Sequence, residues 1–173
     1  MNNTAILIKK IRADATLGKK KHFNAAERKE KYNQRIGLGT AIISFCASSS
    51  LVYQLITQTY AKYEYLSLLA VLIVTVLSWV QIYFNWQKEA YAHRRVANKY
   101  LELAKKCTKT LSYIEDGFMT SESMVREVDI LSGALSEINK DGDSHPTNNK
   151  DYQLAREGIE SGEEGYTDQD LSF

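Results

Sequence analysis

Two long runs of uncharged, mostly apolar residues occupy the middle of the chain. The first extends from Ile36 to Ala61 over 26 positions, and the second from Tyr65 to Gln87 over 23 positions. As helices these runs reach about 39 and 35 Å, whereas the hydrocarbon core of a bilayer is about 30 Å thick. The second run is apolar on nearly every helical face, which suits lipid better than the core of a small soluble bundle. The pattern therefore predicts transmembrane helices at about 36–58 and 65–87.

Helical periodicity continues on both sides of these runs. Residues 1–35 contain apolar positions at helical spacing and are predicted to form a basic cytosolic N-terminal helix. In residues 88–139, a predicted cytosolic helical region, apolar positions alternate four and three residues apart, as in a helix–helix seam. The candidate seam residues are Val96, Tyr100, Leu103, Cys107 and Ile114. The N-terminal helix of the same chain and a neighbouring subunit are both suitable partners, and the second would make the seam an oligomer contact.

A further cytosolic helix is predicted at about 121–139. Thr120 or Ser121 can cap it, and its apolar face is predicted from residues at helical spacing. Those residues are Val125, Val128, Leu131, Leu135 and Ile138. The remaining stretch, 140–173, is rich in acidic and small polar residues and is predicted to be an acidic disordered tail.

The short connection between the apolar runs predicts that they form an antiparallel hairpin. The predicted fold class is therefore all-α: an integral membrane two-helix hairpin at 36–87, with long cytosolic helices before and after it, assembled as an oligomer.

Charge is strongly segregated along the chain. Residues 1–35 carry ten Lys or Arg against three Asp or Glu, and residues 88–110 carry seven against two. Residues 111–173 have four basic and fifteen acidic side chains, whereas Lys62 is the single basic residue between the two apolar runs. Because basic residues are enriched on the cytoplasmic side of membranes, this distribution predicts a multi-pass protein with both termini in the cytosol.

The sequence contains no recognisable catalytic or metal-binding motif. Cys46 and Cys107 offer neither a disulfide framework nor a metal-ligand spacing. His22, His93 and His145 are not paired with a ligand or a nucleophile at a known spacing, and His93, near the predicted membrane exit, is expected to contact lipid headgroups. We therefore expect no enzyme activity, no cofactor and no bound metal.

Small and polar residues form a stripe on each predicted transmembrane helix. These residues are Gly37, Ser44 and Ser48 in the first helix and Thr75, Ser78 and Asn85 in the second. One interpretation is close helix packing, because small residues allow approach and hydroxyl groups bond across the contact. The other is the lining of a pore that several copies enclose, since two helices cannot enclose a pore by themselves.

Two short segments resemble the SLATT family. The stretch from Phe23 to Arg28 (FNAAER), with the basic residues that follow it, is similar to the pre-membrane signature of that family. The stretch from Ala92 to Tyr100 (AHRRVANKY) resembles its post-membrane segment. The resemblance extends over about residues 1–138, and it implies a two-helix membrane effector of prokaryotic conflict systems.

The resemblance also implies a function and a set of partners. We expect an abortive-infection effector in the prokaryotic inner membrane that contacts lipids and forms a homo-oligomeric pore. Its expected signal comes from a separately encoded partner: a nucleotide second-messenger synthase, a SLOG-type sensor or a reverse transcriptase. The alternative is a membrane anchor or scaffold that tethers a cytosolic partner and conducts nothing.

Overall fold

The computed structural model describes residues 3–57 and 64–165. These residues form five helices and contain no strand, which confirms the all-α class. The helices are α1 (Asn3–Thr57), α2 (Glu64–Phe84), α3 (Trp86–Glu115), α4 (Ser121–Asp143) and α5 (Asn149–Glu160). The predicted connection at Lys62 and the end of the tail, 166–173, lie outside the described residues.

The described residues form two compact units. The helical unit comprises residues 3–27 and 90–165, and the apolar unit comprises residues 28–57 and 64–89. α1 begins in the helical unit and continues into the apolar unit. α1 therefore contains the predicted basic helix from residue 3 and the first apolar run as far as Thr57 without interruption.

Three helices contribute to one apolar core in the helical unit. The core side chains of each helix recur three and four positions apart, so they lie on one face of that helix. The core comprises Ile8, Ile11 and Ala15 of α1, Val96, Tyr100, Leu103, Cys107 and Leu111 of α3, and Val128, Leu131 and Ile138 of α4. Ile8 and Leu131 are completely buried, and burial of such a side chain stabilises the fold by about 1.5–3 kcal/mol. Val125, which was expected on the buried face of α4, is exposed.

Local hydrogen bonds define the turn between α3 and α4. Gly117 has a φ of 75°, a left-handed conformation that glycine adopts without a steric penalty. The N–H of Phe118 then donates to a carbonyl in the last turn of α3 at 3.0 Å, as in a Schellman motif. Thr120 caps α4 by accepting a hydrogen bond from the N–H of Ser123 at 3.2 Å. α4 begins where the sequence predicts and continues to Asp143, beyond the predicted end.

The segment after α4 is not disordered throughout, so the expectation for 140–173 is wrong at α5. A capping box starts this helix: the N–H of Asp151 donates to Asn148 Oδ1 at 2.8 Å, and the N–H of Asn148 donates to Asp151 Oδ2 at 3.0 Å. The side chain of Asn24 on α1 donates to the carbonyl of Asp151 at 3.1 Å. The acidic composition predicted a solvated, disordered segment. The capping box and the contact with Asn24 on α1 instead stabilise α5.

α2 and α3 are separate helices, and the end of the predicted helix at 65–87 belongs to α3. Asn85 interrupts them with a φ of 39°, a conformation that asparagine tolerates better than most residues. Its N–H donates to the carbonyl of Gln81 at 3.1 Å and closes α2. Its carbonyl accepts two N–H groups from the first turn of α3, at 3.0 and 3.2 Å.

Candidate functional site

The small and polar residues predicted on α1 share one face of that helix. The spacing of Gly37, Ser44 and Ser48 places them within a narrow stripe. A Cβ at Gly37 would lie 3.2 Å from Nε2 of Gln81, so α1 and α2 approach closely here. Ser44 is half-buried and Ser48 is exposed. This face of α1 therefore extends from a contact with α2 to an open surface.

The residues predicted on α2 have three different environments. Thr75 is exposed, and its hydroxyl donates to the carbonyl of Val71 in the preceding turn at 2.9 Å. Ser78 is half-buried, and Asn85 is the exposed break between α2 and α3. Ser78 and Asn85 line the same cavity of about 410 Å³, together with Asn33 and Gln81. The structure thus brings together two of the three predicted α2 residues.

Two hydrogen bonds join polar side chains of α1 and α2. The hydroxyl groups of Ser50 and Ser67 are 2.9 Å apart, and Gln81 Nε2 donates to Asn33 Oδ1 at 3.2 Å. Ser67 and Gln81 lie near the α2 stripe, but the sequence does not reveal their partners. The position of a single polar residue in an apolar run does not show which residue of the other helix it contacts.

The apolar unit exposes many large apolar side chains. Phe45 and Ile82 have exposed fractions of 76% and 78%. Other exposed side chains of this unit are Leu38, Ile42, Val52, Leu68, Leu72 and Trp79. Soluble monomers rarely present such continuous apolar surface, so this unit suits lipid or another copy of the chain.

Aromatic side chains gather near the break between α2 and α3. The rings of Phe84 and Trp86 stack with centroids 5.1 Å apart, and Tyr32 of α1 meets Trp86 edge-on at 6.3 Å. Lys29 and Glu89 approach within 3.8 Å in the same unit. Aromatic rings next to charged groups are typical of the level of lipid headgroups.

The predicted helix–helix seam is covered within the chain. Val96, Tyr100, Leu103 and Cys107 are buried in the core that α3 shares with α1 and α4, and Ile114 is partly buried against it. Of the two partners that the sequence allowed, the structure provides the N-terminal helix of the same chain and adds α4. The role of these positions as an oligomer contact stays a prediction.

Three histidines converge in the helical unit. Nδ1 of His22 lies 3.1 Å from Nδ1 of His93, and the rings of His93 and His145 have centroids 6.0 Å apart. A hydrogen bond between two Nδ1 atoms needs one donor and one acceptor, so at least one of the two imidazoles is neutral. His93 is 1% exposed, so the expectation that it contacts headgroups is wrong.

Burial changes the acid–base behaviour of this histidine cluster. It lowers the pKa of His22 from 6.5 to about 4, and the nearby His93 and Lys21 act in the same direction. Burial also raises the pKa of the Tyr100 hydroxyl, which donates to Asn139 Oδ1 at 2.7 Å. Within the described part of the chain, no group of three or more His, Cys, Asp or Glu side chains is arranged to hold a metal ion.

The fold and the surface together define a class of protein. Two stretches among the described helices are long and apolar enough to cross a membrane by length and composition. With an all-helical fold and an exposed apolar unit, the chain is of the class of small helical membrane proteins.

Comparison with protein families identifies the chain further. The profile of the SMODS and SLOG-associating 2TM effector domain family 4 matches residues 6–170, and the chain belongs to this family. The SLATT resemblance is thereby confirmed, and it implies a two-transmembrane effector in conflict and defence systems. Domains of this family are membrane effectors rather than known enzymes. No curated protein and no solved structure matches the chain.

Proposed function

We propose that the chain is a membrane effector of an antiphage, abortive-infection system and oligomerises into a pore in the prokaryotic inner membrane. The part of α1 after residue 35 and α2 form a transmembrane hairpin, with both termini in the cytosol. A signal from a separately encoded partner opens the pore, ions leak, and the infected cell stops growing or dies.

The exposed apolar surface of α1 and α2 is the observation that carries this proposal. Side chains such as Phe45 and Ile82 need lipid or a second copy to cover them, because exposure to water is unfavourable. Polar positions on the same helices, such as Ser48 and Thr75, are exposed too. A ring of copies would leave the apolar faces against lipid and place the polar positions towards a shared channel.

The order of contacts between α1 and α2 supports an antiparallel hairpin. Asn33 precedes Ser50 on α1, whereas their partners Gln81 and Ser67 occur in the reverse order on α2. The charge distribution supports the orientation, since the segments before and after the hairpin carry most of the basic residues. The family description supports a partner of the SMODS or SLOG type.

Membrane permeability on induced expression tests the pore. A potential-sensitive dye and a membrane-impermeant DNA stain are followed with and without the neighbouring genes. We expect depolarisation before growth stops, and only when the partner or its signal is present. A membrane that stays polarised under full activation, with the protein shown to be inserted, would contradict the proposal.

A matched pair of variants tests the predicted lining. Ser44→Leu with Ser48→Leu should abolish leakage while the protein still inserts. Cys46→Leu with Ser49→Leu is the control, because it makes two similar changes on the opposite, exposed side of α1. The control should leak like the unchanged protein. Unchanged leakage in the Ser44 and Ser48 variant would remove that face from the pore.

The second candidate is a non-conducting membrane anchor or scaffold for a cytosolic partner. The hydrogen bonds Ser50–Ser67 and Asn33–Gln81 favour it, because they use polar side chains for packing within one hairpin. In that case the membrane stays polarised, and a partner co-purifies with the inserted protein.

A further inference from the structure

A wide groove crosses the helical unit between α1, α3 and the segment that contains the end of α5. Its volume is about 910 Å³, within the range of small-molecule sites in proteins. Small and apolar side chains contribute to its lining, among them Ala13, Leu17, Leu101, Ala104 and Ile159. The groove therefore has space for a ligand and apolar surface for an organic part of it.

Basic side chains dominate the polar lining of this groove. They come from all three walls: Lys9, Arg12 and Lys19 of α1, Lys105 and Lys109 of α3, and Arg156 of α5. The acidic lining residues are Asp14 and Glu164. Like charges at this density repel one another, as Lys105 and Lys109 do at positions i and i+4. A bound anion would offset that repulsion. A groove with no ligand would gain nothing from so many basic side chains.

Acidic side chains of the same chain already approach one edge of the groove. Lys19 forms an ion pair with Glu164, and Lys20 forms one with Glu163. The side chains of these two lysines are mostly buried, with 14% and 12% exposed. Lys19 and Glu164 line the groove, and Lys20 lies next to it, 3.8 Å from Glu164. Carboxylate oxygens therefore already contact ammonium groups at this edge, as the oxygens of a bound phosphate would.

We propose that this groove binds a small soluble polyanion bearing several phosphate groups, and that the ligand competes with Glu163 and Glu164 for the lysines. The basic groups lie on three separate segments, so they match a ligand with several anionic groups better than a lipid headgroup with a single phosphate. This proposal concerns ligand binding alone and can be tested whether or not the protein forms a pore.

Calorimetric titration with inorganic tripolyphosphate tests the groove. The full chain is reconstituted in phosphatidylcholine nanodiscs at 0.15 M salt, where long-range attraction is screened beyond about 8 Å. We expect saturable binding that Lys105→Gln with Lys109→Gln weakens about tenfold or more. The matched control is Lys106→Gln with Lys140→Gln, which removes the same charge from exposed positions outside the groove and should change the affinity less than about twofold. No saturable binding, or an equal loss in both variants, would overturn the site.

Two further arms test the competition and the source of the phosphate. Glu163→Gln with Glu164→Gln should strengthen tripolyphosphate binding by about threefold or more, since it removes the internal anions. An unchanged affinity would overturn the competition. Replacing a third of the phosphatidylcholine with phosphatidylglycerol should leave binding unchanged. If this lipid abolishes binding, the groove holds headgroups, and the assignment to a soluble ligand is wrong.

Discussion

At the scale of one residue, the neighbour of Gly18 determines whether an alanine there raises or lowers the stability of the protein. A Cβ at this position would lie 2.8 Å from ring carbons of Tyr100. The ring cannot move away easily, because Tyr100 is 5% exposed and its hydroxyl is bonded to Asn139. In an open helix Gly→Ala stabilises by about 1 kcal/mol, but we expect Gly18→Ala to destabilise by about 1–3 kcal/mol. Thermal unfolding of the full chain in detergent micelles measures this difference.

Gly133 provides the control for this prediction. It lies within α4, and nothing surrounds the position of its missing Cβ within 4 Å. Gly133→Ala should therefore stabilise the protein by about 0.5–1 kcal/mol. If both substitutions shift the unfolding temperature upwards, the close contact between Gly18 and Tyr100 is not a constraint on the fold.

At the scale of the element, the capping box decides whether α5 forms. Asn148→Ala removes the acceptor for the N–H of Asp151 and should cost about 1 kcal/mol of local stability. We expect backbone amides of α5 to exchange hydrogen about fivefold faster, as mass spectrometry of the full chain would measure. Asn149→Ala changes the adjacent exposed residue without removing the cap and should alter exchange less than about twofold. Equal acceleration in both variants would show that the cap does not hold the helix.

Asn85 shows how far sequence patterns define elements. The apolar run predicted a helix over 65–87, and α2 and the first residues of α3 do occupy this range. The break between them depends on a single positive φ, which asparagine tolerates, and on backbone hydrogen bonds that join residue 85 to each helix. Such a break is a property of one residue, whereas hydrophobic periodicity averages over several turns, so the pattern could not reveal it.

At the scale of the whole molecule, the histidine cluster predicts that acid destabilises the helical unit. The pKa of His22 is about 4 in the folded chain against an ordinary value of 6.5, so between these values the unfolded chain binds more protons. Its contribution to stability is complete above about pH 6.5 and is lost as the pH falls towards 4. We expect a loss on the order of 2 kcal/mol by pH 4.5, measured as lower amide protection factors in α3 and α4 after correction for the intrinsic exchange rate at each pH.

The groups that face His22 define the control for this acid sensitivity. His93 and His145 approach it from α3 and from the segment after α4, and both oppose its protonation, as does Lys21 on α1. Asp151 on α5 favours protonation more weakly. His22→Gln should flatten the pH dependence between pH 5 and 6.5, whatever it does to the absolute stability. An unchanged slope in this variant would assign the acid sensitivity to other groups.

Apart from α5 and the break at Asn85, the sequence by itself determined the helices, the two apolar segments and the family. These features follow from local pattern: periodicity defines a helix face, uninterrupted apolar length defines a span-capable segment, and short motifs such as Phe23 to Arg28 carry the family resemblance. Only the tertiary structure decided that α1 and α4 cover the seam at Val96 and Tyr100, that the histidines meet, and that acidic residues after α5 pair with Lys19 and Lys20. The physical reason is that burial and charge pairing depend on which helix faces meet, and residues far apart in the chain decide that together.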